Sequence, residues 1–334
     1  MRLTWPLTGR AEEMDVVTTT LSSGDHRGVV IRGAYGVGKT RLAREAVAAS
    51  SRCETRWVVG TSSARVLPLG AFTQWLGWPA GGRDRQAQDV VEALTDVPDG
   101  CTVIVAVDDA HHLDDMSLVV LRQIIARHHA RILLTAPTDA TIPEPAQEIW
   151  RSGQFVRLDL QPLSQAESTR LVSAALRGEV DPDAAARLWK LTRGNVLYLR
   201  NIVEHAVSDG SFSRVDGCWR WTGATILPPG LAATIEMRIG ALREAVGEVL
   251  DVLTIGGPIE LAALGRITDP AAVEEADARG LVTLDDIDGR VEVRVAHPMY
   301  AELRKRGTPF TRLCRLRGML AAELGSVPDQ MSSA

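Results

Sequence analysis

Cysteine is scarce in this chain and lysine scarcer still. The 334 residues include four cysteines, Cys53, Cys101, Cys218 and Cys314, scattered with no CxxC pair. That excludes a disulfide framework and a cysteine zinc site, and reads as reduced thiols. Lysine occurs three times, at Lys39, Lys190 and Lys305, so a lysine inside a motif is not background. Long apolar runs are missing. A stretch such as Val103 to Val107 falls far short of the ~20 residues of a membrane helix. The stretch from Met1 to Asp15 carries Arg10, Glu12 and Glu13 where an export signal needs an apolar core, so the expected location is the cytoplasm. An excess of positive charge is also lacking: 37 basic against 42 acidic residues leave −5. Such a chain does not coat nucleic acid, and any DNA contact would be local. What is present, 45% hydrophobic and 24% charged residues, excludes disorder and collagen-like structure for most of the chain. The length suits two or three domains.

The first third alternates β-rich runs with helical ones. Gly28–Arg32, Arg56–Thr61, Thr102–Val107, Arg131–Thr135 and Phe155–Leu158 read as strands, the third entered from a turn at Pro98-Asp99-Gly100. Arg41–Ala49, Ala71–Leu76, Gln86–Leu94 and Leu118–Arg127 read as helices between them. Apolar strands interleaved with helices predict a parallel sheet covered on both faces. From about Leu160 helices take over. Ser164 with Glu167 forms a capping box. Leu171, Val172, Ala175 and Leu176, then Ala184–Leu191, then Val196, Leu199, Val203 and Val207 follow at helical spacing. Ser211–Trp221 reads as a hairpin about Asp216-Gly217, and Pro228-Pro229-Gly230 as a linker. Beyond it, helices precede two strands joined at Asp288-Gly289, the pattern of a winged helix. Arg312–Leu324 is a last helix and Ser326–Ala334 a tail. The expected division is 1–159 for an α/β domain, 160–225 for a helical lid with its hairpin, 226–310 for the winged helix and 311–334 for the terminal helix and tail.

One segment carries a strong chemical signal. Gly33-Ala34-Tyr35-Gly36-Val37-Gly38-Lys39-Thr40 fits GxxxxGK[ST], directly after a strand and at the start of a helix. Glycines let backbone amides turn inward as an anion nest, and the helix N-terminus adds positive potential. Lys39 can reach β- and γ-phosphates, and the Thr40 hydroxyl can bind Mg²⁺. Asp108 and Asp109 end the strand Thr102–Val107. A carboxylate at that edge faces the phosphate loop and can hold Mg²⁺, which assigns Asp108 to the metal. The acid beside it, Asp109, can orient or deprotonate an attacking water, and is the catalytic candidate.

Other features are weaker. His111-His112 and His128-His129 suggest a metal, but adjacent residues on a helix point apart, so neither doublet converges. The eight tryptophans, Trp5, Trp57, Trp75, Trp78, Trp150, Trp189, Trp219 and Trp221, fit core and hairpin packing better than base stacking. Arg304, Lys305, Arg306, Arg312, Arg315 and Arg317 fit either DNA phosphates or a solvated face, with the solvated face favoured.

The ordered motifs resemble the ATPase module of STAND-class P-loop proteins, in particular that of large LuxR-type (LAL) bacterial transcriptional regulators. The matching stretches are Leu7-Thr8-Gly9-Arg10, Gly33–Ala43, Val107–Asp114, Leu160–Ser164, Thr192–Leu199 and Ala296–Leu303. The resemblance implies an α/β P-loop NTPase followed by a helical lid and a winged-helix domain. It implies ATP or ADP with Mg²⁺ as cofactors, and a protein partner or self-association. By the same resemblance Gly9 and Arg10 lie by the adenine, Gly194-Asn195 sits near the nucleotide, and His297 before Pro298 senses the β-phosphate of ADP; Arg41, next after Thr40, is a further nucleotide-binding candidate. Read without it, His297 is a structural residue before an extended segment. Three departures stand out. Leu133-Leu134-Thr135-Ala136-Pro137 ends the fourth strand without an arginine, Val196 replaces the usual proline after Gly-Asn, and the helical repeats and helix-turn-helix of full-length relatives are absent from this chain. The expectation is a nucleotide-operated switch with slow hydrolysis or none, not bound to DNA through this chain alone. An active remodelling ATPase and a DNA-binding initiator-like ATPase are the rival expectations.

Overall fold

The computed structural model describes residues 3–23, 25–50, 53–76, 83–96, 101–127, 130–138, 147–149, 153–222 and 227–324. The expected turn at Pro98-Asp99-Gly100, the doublet His128-His129, Trp78, Trp150 and the tail lie outside these residues. The chain forms two compact units: Thr4–Ala175 with Asn195–Leu197, and Leu176–Gly194 with the chain from Tyr198 onward and the first three residues.

The first unit is built on five strands, β1 (Gly28–Gly33), β2 (Cys53–Val59), β3 (Thr102–Asp108), β4 (Ala130–Pro137) and β5 (Phe155–Asp159). They pair in the order β2-β3-β4-β1-β5, and every pairing is parallel. The helices are α1 (Ala11–Ser23), α2 (Lys39–Ala49), α3 (Arg83–Thr95), α4 (Asp115–Arg127) and α5 (Gln165–Leu176). The central strands are apolar on both faces because both are covered. Val29 and Ile31 of β1 join Val17, Leu21, Leu42 and Ala46 of α1 and α2 on one side. Val30, one residue out of phase, joins Val90 and Leu94 of α3 and Leu121 and Ile124 of α4 on the other. Each such aliphatic side chain contributes about 1.5–3 kcal/mol when fully buried.

Two expectations change here, and helix α1 has no counterpart among the expected elements. Helix α1 is not signalled by the sequence, since its β-branched run Val16-Val17-Thr18-Thr19-Thr20 favours a strand. Burial of Val17, Thr20 and Leu21 overrides that preference. The stretch Ala71–Leu76 is a 3₁₀ helix over Gly70–Trp75. The first unit also runs past residue 159 into α5. Its N-terminal segment explains why: Arg10 Nη2 donates to the Gln161 carbonyl at 2.6 Å, and Gly9 abuts the Glu167 side chain.

The second unit contains α6 (Pro182–Thr192) and most of α7 (Val196–Ser208). The hairpin β6 (Phe212–Val215) and β7 (Cys218–Trp221) comes next, followed by α8 (Pro229–Ile239). Asp216 and Gly217 both take positive φ, 51° and 84°, as a two-residue hairpin turn with the sheet's twist requires. Trp219 lies 5.9 Å from Phe212, and the Arg187 guanidinium stacks over Trp221 at 4.1 Å, so these tryptophans pack the hairpin. The linker expected at Pro228-Pro229-Gly230 is instead the start of α8. Proline suits that first helical position, where its missing N–H would have no helical partner.

Then come α9 (Glu244–Gly256), β8 (Ile259–Glu260), α10 (Leu261–Ile267), α11 (Pro270–Ala278), β9 (Val282–Ile287) and β10 (Arg290–Val295). The strand order β8-β10-β9 after a helix–strand–helix–helix run is the winged-helix arrangement. Helices α12 (Pro298–Gly307) and α13 (Phe310–Leu324) complete the unit, with Leu316 and Leu320 of α13 buried. Part of the basic cluster is ion-paired within the unit, and Lys305, Arg315 and Arg317 are exposed. Asp251, 1% exposed, pairs with Arg304 at 2.7 Å and Arg312 at 2.9 Å. Lys305 pairs with Glu302 and Arg315 with Glu248.

Candidate nucleotide site

The strand β1 delivers the chain to its glycine-rich turn at the C-terminal edge of the sheet. Gly36 and Gly38 take φ of 81° and 106°, values that L side chains rarely adopt. Gly38 stands at the N-cap of α2 with no side-chain cap, so the first turn of α2 presents its amides to an anion. Lys39 is buried, and its Nζ donates to the Gly33 and Ala34 carbonyls at 3.0 and 3.1 Å, which folds the ammonium back over the loop.

Across the sheet edge, β4 lies between β1 and β3, so the side chains at the ends of β3 and β4 meet those of α2. Thr40 donates its hydroxyl to Asp108 Oδ1 at 2.9 Å. Thr135, fully buried at the level of Ile31 in β1, donates to the same oxygen at 2.6 Å and accepts the Asp109 amide at 2.9 Å. The Asp108 carboxylate is thereby aimed at the start of α2. Asp109 takes a left-handed backbone, φ 53°. Burial pushes its carboxyl above the usual aspartate range, and the neighbouring Asp108 charge adds to this, while Lys39 and His112 oppose it. An acid held in that way is a stronger proton acceptor once ionised.

The sequence pattern does not single out Thr135 as a site residue. Its signal was a single hydroxyl in the apolar run Ile132–Ala136. The histidine doublet also differs from expectation. His111 and His112 lie in a 3₁₀ turn, Ala110–His112, and their rings stack with centroids 3.9 Å apart. Among the described residues no group of three or more His, Cys, Asp or Glu is arranged to hold a metal. Mg²⁺ needs fewer protein ligands, because it keeps several waters and takes phosphate oxygens. The convergent Thr40 hydroxyl and Asp108 carboxylate are hard oxygen donors of that kind and fit it.

The remaining candidates divide. Asn195 is brought to the loop: its Nδ2 donates to the Tyr35 carbonyl at 2.6 Å. Arg41, exposed on α2, pairs with Glu45 at 2.7 Å. The Arg10 guanidinium is buried and held by Glu13 at 2.7 Å and by the Gln161 carbonyl. His297 belongs to the second unit. Its Nδ1 accepts the Met299 amide at 3.1 Å as the N-cap of α12, which leaves the proton on Nε2 to be donated to the Thr192 carbonyl at 3.2 Å. Burial lowers its pKa to about 4, with Arg238 and Arg193 acting in the same direction, so the ring is neutral at pH 7.

No family model and no curated protein matches the chain. Among solved structures, the ORC1 protein of Aeropyrum pernix, determined in complex with DNA, aligns over 94% of this chain and 95% of its own, with a TM-score of 0.51 and 18% identity. The chain shares the α/β P-loop fold of that protein. Cdc6p of Pyrobaculum aerophilum, at 12% identity, covers 94% of this chain and 95% of its own with a TM-score of 0.48. A point variant of RuvB from Thermotoga maritima, at 16% identity, covers 91% and 96% with a TM-score of 0.44.

Proposed function

We propose that this chain is a regulatory switch operated by ATP or ADP, the ATPase module of a STAND-class transcriptional regulator of the LuxR type, with slow hydrolysis. The observation that carries nucleotide binding is the meeting of Thr40 and Asp108 beside a complete phosphate loop. In this reading the amides of Gly33–Thr40 and the Lys39 ammonium bind the phosphates. Thr40 and Asp108 would hold Mg²⁺, and the Thr135 hydroxyl keeps the Asp108 carboxylate aimed. A bound Mg²⁺ would offset the negative charge of the phosphates. Asp109 orients the attacking water and accepts its proton.

Hydrolysis is proposed to be slow for two reasons. Asp109 is shorter than a glutamate, and the end of β4 offers a threonine where an arginine would stabilise the charge developing on the transferred phosphoryl group. The γ-phosphate then acts as a ligand that one conformation accommodates better than another, which is what a switch requires. His297 is proposed to exchange its Thr192 bond for a β-phosphate oxygen in the ADP state. The signal passes to a protein partner or a second copy of the chain.

A remodelling ATPase is the rival. Single-turnover and steady-state assays with Mg·ATP separate the two. The switch reading expects a bound nucleotide to survive purification and turnover well below the ~1–100 s⁻¹ of kinases. Many turnovers per second by the purified chain would sink it. Duplex DNA is not part of the proposal, because the net charge is −5 and Arg304, Lys305, Arg312 and Arg315 are already ion-paired.

A further inference from the structure

Asn195 is buried, and both ends of its carboxamide are used. Nδ2 donates to the Tyr35 carbonyl at 2.6 Å, and Oδ1 accepts the Leu197 amide at 3.1 Å. The Leu197 amide also donates to the Gly36 carbonyl at 3.0 Å. Two consecutive carbonyls at the crown of the phosphate loop are therefore tied down by residues 160 positions away in the chain. The fit is close. A Cβ at Gly36 would lie 2.5 Å from Asn195 Oδ1 and 2.8 Å from the Leu197 Cβ, so a side chain there would force the two segments apart.

Holding those carbonyls has a consequence for anion binding. In a trans peptide the N–H points away from the C=O of the same plane. Fixing the Tyr35 carbonyl fixes the Gly36 amide in the opposite direction, and the Gly36 carbonyl does the same for the Val37 amide, which reaches the Ala34 carbonyl at 3.5 Å. An anion nest binds well when its amides are aimed before the anion arrives, because the ordering cost is then already met. A Gly-rich loop without such a restraint has wide conformational freedom.

We propose that Asn195 and Leu197 form a clasp that preorganises the phosphate loop, and that nucleotide release requires this clasp to open. Asn195 is a positioning residue in this account. It acts on the nucleotide through Tyr35 and Gly36, not by contact. The inference rests on the proposal that the loop binds nucleotide, and its test separates the two.

Asn195→Ala and Asn195→Asp are compared with wild type and Lys39→Ala, using a fluorescent ADP analogue in stopped-flow mixing and amide hydrogen exchange on the nucleotide-free chain. Asn195→Asp keeps the size and the acceptor for Leu197 but loses the donor to Tyr35. Both Asn195 variants are expected to release the analogue about tenfold faster or more, with capture changing less, as the loss of one buried hydrogen bond implies. In both, the amides of residues 34–38 should exchange faster without nucleotide. Release and exchange equal to wild type in either variant that retains its fold would overturn the clasp. If wild type binds neither nucleotide, the binding proposal fails, and the exchange data still decide the clasp: faster exchange at 34–38 supports it and unchanged exchange refutes it.

Discussion

Thr135 donates its hydroxyl to Asp108 at 2.6 Å and accepts the backbone amide of Asp109 at 2.9 Å. One buried hydroxyl thus orients both acids of the candidate site. Thr135→Val keeps the shape and removes both bonds, leaving the Asp109 amide and the Asp108 carboxylate each short of a partner. A destabilisation of about 1–3 kcal/mol is expected. The Mg²⁺-dependent part of nucleotide affinity should fall with it. Thermal melting and calorimetry with and without Mg²⁺ check this. A variant with unchanged melting and unchanged Mg²⁺ dependence would reduce Thr135 to packing.

Asp109 sets stability against function. Its folded-state pKa is raised, chiefly by burial and then by Asp108. A raised pKa means that stability is fully present below the unfolded value and is lost as pH rises through the folded one. At neutral pH the ionised side chain therefore costs stability. Asp109→Asn should raise the melting temperature at pH 7, lose that advantage toward pH 4, spare nucleotide binding and slow turnover. A lower melting temperature at pH 7 would contradict this electrostatic account.

His297 has the opposite sign. Its folded-state pKa is lowered from 6.5 to about 4. Its contribution is present above the unfolded value and is lost as pH falls through the folded one, so the window lies between about 6.5 and 4. His297→Asn retains an acceptor for the Met299 amide and removes the titration. Its urea midpoint should fall less over that window than that of wild type. The same variant tests the phosphate role. If His297 reads ADP, losing a hydrogen bond to a charged oxygen should weaken ADP by roughly tenfold or more relative to ATP. An unchanged ratio would leave His297 as the cap of α12.

Much of this molecule can be read from residue order, and the failures have physical causes. The strands from Gly28, Thr102 and Ala130 are apolar runs too short for helices, so period and length agree. The capping box is realised as expected, with Glu167 accepting the Ser164 amide at 2.8 Å. Helix α1 was hidden because its β-branched residues argue for a strand, and only burial against the sheet decides otherwise. Pro229 looks like a breaker unless the chain beyond it is known to turn helical at once. In the site, the glycine-rich turn between β1 and α2 is a local pattern and is legible as such. The Thr135 and Asn195 contacts join residues 27 and 160 positions apart from their partners, and no local pattern announces them.

The most direct test of the account is the affinity of wild type and Lys39→Ala for ATP and ADP, measured by calorimetry in the presence of Mg²⁺. Lys39 is the buried cation of the phosphate loop, with Nζ 3.0 Å from the Gly33 carbonyl. Removing one partner of a desolvated charge pair costs about 2–5 kcal/mol. The account predicts tight binding of at least one nucleotide by wild type and a loss of that size in the variant, with the fold intact by circular dichroism. Equal affinities in the two proteins, or no binding by either, would contradict it.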